Sequence, residues 1–214
     1  MKYPLRLTLY SALFFAILTI ASIQTSQDPA GGTALTCQLQ FLILPLASGI
    51  LLIDDIGRAF RFLSIGAFFG IVPIAMNYGV GLNEVLWAEG VTITMSACIV
   101  LIGIGIYRTF RCVRLSEFFM GFMLLFLLFS PFWSAVLPAK IALWLSPSAL
   151  ISVAFHQYDF STAGKMYQIW LGSIAPYPNH PIWVLTVFGI VFAVMCYIMY
   201  LRHIYVIREK IQGS

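Results

Sequence analysis

The sequence predicts an all-α integral membrane protein with six transmembrane helices and short re-entrant or interfacial helices between the fifth and the sixth. Three observations carry that expectation. Apolar residues make up 61% of the 214 and charged residues only 9%, too little polar surface for a water-soluble domain of this length. Six apolar runs approach the roughly 20 helical residues needed to cross the hydrocarbon layer, and continuous runs of this kind satisfy their backbones in lipid as helices. The basic residues, finally, gather in alternate connections.

The first run, about 7–24, follows Lys2 and Arg6 and precedes the small-residue stretch "ASIQTSQ". That is the order of a secretory signal, but the apolar core is long for one and is read as a retained span. The others lie at about 37–53, 63–81, 90–107, 118–137 and 182–201, with Pro45, Pro73 and Pro131 as expected kink points. An even number of spans leaves both termini on one side. Segments 1–6, 54–62, 108–117 and 202–214 on that side hold ten of the 12 basic residues, with Lys140 and Lys165 left for the other. Basic connections stay in the cytoplasm. The expectation is one transmembrane domain over 1–214, multi-pass in the cell (inner) membrane, with cytoplasmic termini. Its immediate partner is the lipid bilayer, and no nucleic acid is expected.

The first cytoplasmic connection, "DDIGRAFRF" at 54–62, places Asp54 and Asp55 ahead of Arg58 and Arg61. This suits a short interfacial helix, with carboxylates at its positive N-terminal end and arginines toward its C-terminal end. Two readings stay open. The arginines could reach lipid phosphates and set topology, or Asp54, Asp55, Arg58, Phe60 and Arg61 could form a knob presented to a cytoplasmic partner. The second connection spaces Arg108, Arg111 and Arg114 three apart and reads as a lipid-facing anchor.

The sizeable excursion, 138–181, falls on the outer side and is nearly as apolar as the spans, yet Pro138 and Pro147 cut it into pieces too short to cross. Ser146 before Pro147 reads as an N-cap with proline at the first helical position. Short apolar pieces of this kind suit re-entrant or interfacial helices in the outer leaflet. Trp144, Pro147, Phe155, His156 and Asp159 mark this segment, and Tyr167, Trp170, Tyr177 and Trp183 suit an interfacial belt.

In its order of elements (six spans, a short charged loop after the second, a fifth span ending "LLFSPFWSAVLP", the broken "ALWLSPSALISVAFHQYDF", then a last span and a basic tail) the chain resembles, over nearly its whole length, the permease subunit of type 2 ATP-binding cassette exporters. The resemblance implies that 54–62 is the coupling helix that touches a P-loop ATPase subunit. It also implies that the outer excursion forms two re-entrant helices, and that a second permease half, identical or related, completes the path. The chain departs from the pattern in having only "MKYPLR" before the first span and a small first outer loop, "QTSQDPAGGTALT". The alternative is an accessory or structural subunit of a larger membrane complex without a transport path of its own.

No catalytic constellation stands out. Glu84 and Glu89 are placed at or near the outer ends of spans three and four, as interfacial caps or as lining of a polar outer vestibule. His156, His180 and His203 are peripheral, and Cys37, Cys98, Cys112 and Cys196 have no pairing or metal spacing. No "GxxxxGK[ST]" occurs, so ATP and magnesium, if used, belong to a partner subunit; no cofactor or metal is expected in this chain. Gly66 and Gly70 fit a small-xxx-small contact face.

Overall fold

The computed structural model describes residues 3–51, 56–128 and 145–155, together with 191, 194 and 198. Within them the elements are α1 (Tyr3–Ser26), α2 (Pro29–Leu51), α3 (Ile56–Asn77), α4 (Leu82–Phe110), α5 (Val113–Leu128) and α6 (Pro147–Ala154). The described elements are all helices, and the first four are long and apolar enough to cross a membrane, as in a multi-span membrane protein. Of the six expected spans, the fifth is described only as far as Leu128, and of the sixth only residues 191, 194 and 198 are described.

The turns follow from local chemistry. At the end of α1, Gln27 takes the left-handed conformation (φ 56°) and its N–H reaches the Ile23 carbonyl at 3.1 Å. Asp28 then caps α2: its carboxylate accepts from the Ala30 and Gly31 amides, both at 3.1 Å. Pro29 occupies the first helical position, where a missing N–H costs nothing. The expected outer loop "QTSQDPAGGTALT" thus contracts to two residues, and α2 begins at Pro29 rather than at residue 37. Polarity misleads here because Thr33 and Thr36 donate their hydroxyls to the carbonyls of Pro29 (2.7 Å) and Gly32 (2.9 Å), hiding them inside the helix.

α3 ends in a Schellman motif. The Val80 amide bonds the Ala75 carbonyl and the Gly79 amide the Met76 carbonyl, both at 3.1 Å. Gly79 sits at φ 85°, where any side chain would be strained, and Val80 packs into the core. Gly81 then opens α4 with Glu84 in its first turn, at the positive end of the helix. At the other end of α4, Arg111 ends the helix in the left-handed region. The second basic connection is therefore only Arg111 and Cys112, with Arg108 in the last turn of α4 and Arg114 in the first turn of α5.

The segment 56–62, expected as a separate short helix, is continuous with α3. Its arginines do not interrupt the span, since long basic side chains can leave their stems along the helix and extend their heads to the interface. The helix ladder therefore continues through both.

Inside lipid, helices associate through close packing and interhelical hydrogen bonds rather than hydrophobicity. α1 and α3 make the most extensive contact. Gly66 and Gly70 form its centre: a methyl on Gly66 would fall 2.6 Å from the Thr8 carbonyl oxygen, and one on Gly70 3.0 Å from the Ala16 nitrogen. Ser11 Oγ donates to the Leu63 carbonyl at 3.2 Å beside them. The opposite side of α1 exposes Leu5, Leu9, Leu13 and Ile17, an i, i+4 stripe suited to lipid. α4 and α5 meet where Ser116 Oγ donates to the Gly103 carbonyl at 2.7 Å.

α6 packs against α4 and α2. Gln38 on α2 donates its side-chain amide to the Ser148 carbonyl at 3.4 Å. Past the other end of α6, Phe155 lines a cleft of about 200 Å³ with Asp28, Pro29, Tyr78 and Glu84. α6 therefore runs from within the bundle to the end where α1 turns into α2 and α3 into α4. That end carries Asp28 and Glu84 among the described residues. The opposite end carries Arg6, Arg58, Arg61, Arg108, Arg111 and Arg114, all exposed.

Candidate functional site

The contact between α2 and α4 is polar at a depth where an apolar bundle has no need of polarity. Glu89 lies about two turns into α4 and is 1% exposed; Gln40 on α2 is 0% exposed. Gln40 Nε2 donates to Glu89 Oε2 at 2.9 Å. The remaining oxygen of each side chain, Gln40 Oε1 and Glu89 Oε1, is buried without a hydrogen-bond partner. Cys37, one turn before Gln40, is fully buried and within electrostatic reach of Glu89. Thr92, also fully buried, satisfies itself on the Ala88 carbonyl at 2.8 Å, and Ser96 keeps a buried hydroxyl oxygen without a partner. Intramembrane polar groups of this kind are costly and tend to be functional.

Glu89 thus differs from its expected place at the membrane boundary. α4 starts at Leu82, upstream of the expected residue 90, because the Schellman turn and Gly81 set its beginning there. The carboxylate consequently enters the bundle interior. Glu84 stays at the boundary and lines the cleft. Sequence reasoning also passed over Gln40, although two glutamines in "CQLQFLILPL" are a visible anomaly in an apolar run.

The expected docking residues separate. Arg58 and Arg61 lie exposed in the first two turns of α3, with Arg61 Nε donating to the Gly57 carbonyl at 3.3 Å. Phe60, expected beside them on the same knob, instead faces the core with Ile56 and Ala59, because helical spacing turns it away from the arginines. Asp54 and Asp55 lie outside the described residues. In the outer segment Pro147 and Phe155 are buried, while Trp144, His156 and Asp159 lie outside the described residues. Cys37 and Cys98 are buried and Cys112 is exposed in the α4–α5 turn, none of the three in a disulfide.

No family model matches the chain, and no curated protein or solved structure gives a significant match.

Proposed function

We propose that the chain is the permease half of an ATP-driven exporter in the cell (inner) membrane. In this reading a separate P-loop ATPase docks at the arginine-bearing end and a second permease half completes the path. The supporting observation is α6, a helix of eight residues that starts inside the bundle against α2 and α4 and finishes at the end opposite the arginines. A broken, partly inserted helix there is what the resemblance to type 2 ATP-binding cassette permeases implies for the re-entrant segment. The concentration of arginines at one end supports a cytoplasmic orientation for it.

Arg58 and Arg61 sit on the helix that is locked most closely to α1, so a push at that end moves α1 and α3 together, a rigid-body element of the kind switching proteins use. The polar α2–α4 contact weighs against a merely structural subunit, whose helices could pack with small and apolar residues alone.

Purification of the intact complex from its native membrane tests the reading. An ATPase is expected to copurify, and the double variant Arg58→Ala, Arg61→Ala is expected to lose it while remaining folded in the membrane. A complex without any ATPase, or a double variant that retains both ATPase and transport, overturns it.

A further inference from the structure

We propose that Gln40 and Glu89 form a proton-binding site in the interior of the bundle. The inference is independent of the ATPase, since it concerns only the chain's own side chains.

The hydrogen-bonding arithmetic points to a single missing atom. One half of the amide meets one half of the carboxylate, Nε2 to Oε2 at 2.9 Å. The other halves, Gln40 Oε1 and Glu89 Oε1, are both acceptors, both buried and both without a partner. A hydrogen on Glu89 Oε1 can donate to Gln40 Oε1, closing a cyclic acid–amide pair in which every polar atom is satisfied. The same hydrogen cancels a charge that is expensive at this depth.

No other described group does this instead. Among the described residues, α2 contributes only the Cys37 thiol as an ionisable neighbour, and α6 contributes none. The charged residues of α3 and α5, Arg58, Arg61, Arg114 and Glu117, lie at the far end of the bundle, as does Arg108 of α4 itself. The described residues contain no group of three or more acidic, thiol or imidazole side chains to hold a metal ion. Glu84 lines the cleft, and Glu89 lies five residues further along α4, about 7.5 Å deeper along the helix axis.

Infrared spectroscopy of the full-length protein in lipid nanodiscs tests the site. The unmodified protein at neutral pH is expected to show a protonated-carboxyl C=O band that shifts in D2O. The band should disappear in Glu89→Gln and move in Gln40→Leu. Glu89→Gln preserves both hydrogen bonds as an amide–amide pair and is expected to fold. Should one variant fail to fold, the other still reads the site, and carboxyl-labelled glutamate in the unmodified protein shows whether the band belongs to a glutamate, because the isotope shifts it. Absence of a label-sensitive acid band at neutral pH overturns the proposal, as does a band that persists in Glu89→Gln. A missing band combined with a melting temperature raised by sodium chloride but not by choline chloride identifies a sodium site and also overturns it.

Discussion

The bundle is held by two seams of opposite character. Between α1 and α3 the contact is close, built on Gly66 and Gly70, where an added Cβ would run into the backbone of the neighbouring helix, with a hydroxyl-to-carbonyl bond from Ser11 beside them. Between α2 and α4 it is wet in composition, carrying Gln40, Glu89 and Thr92 at full burial. Close packing is unconditional: it depends on shape and holds in every protonation state. A polar seam is conditional, because its strength depends on who carries the hydrogen. One seam therefore suits a permanent joint, and the other suits a joint that can be altered.

Substitutions should break the two seams differently. Gly66→Leu is expected to have the largest effect, destabilising by about 3 kcal/mol, because its Cβ meets the Thr8 carbonyl oxygen and backbone cannot swing aside as a side chain can. Engineered disulfide cross-linking between α1 and α3 should fall sharply, with the α2–α4 contact unaffected. Gln40→Leu comes next, at about 2 kcal/mol, since it leaves the buried Glu89 carboxyl without its hydrogen-bond donor. Denaturant titration in mixed micelles measures it, and restoring a donor with Gln40→Asn tests whether the loss is one of hydrogen bonding.

Asp28→Ala removes the cap of α2 and should cost about 1 kcal/mol in the same titration, while Asp28→Asn should recover most of it. Gly105→Ala is the control. Nothing lies within 4 Å of its Cβ position, so it should stabilise by about 0.5–1 kcal/mol. If Gly66→Ala proves as harmless as Gly105→Ala, the contrast between the seams fails.

How much of this was legible in the sequence differs between the seams for physical reasons. Spacing is a local property, so Gly66 and Gly70 announced a contact face; the partner helix, α1, was not foreseeable from that spacing. The apolar spans were visible as hydropathy, but their ends were not. Hydropathy scores Asp28, Thr33 and Thr36 as loop residues, whereas a cap and two hydroxyl-to-carbonyl bonds make them parts of α2. It likewise stops short at Arg58 and Arg61, though α3 runs through both.

The candidate site suffered most from this. Moving the start of α4 by two turns carried Glu89 from the boundary to the interior, and only Gln40, more than 40 residues away in the chain, reveals what it does there. The exposed arginines were visible; the inward turn of Phe60 required the helix phase.

The brevity of the turns constrains how such a bundle can move. Two residues join α1 to α2, and two join α4 to α5, giving each pair a slack of about 7 Å at full extension. The Schellman bonds at 75–80 remove even that from the α3–α4 corner. At these three described corners, piston-like sliding of one helix past the next is restrained more than tilting about the corner.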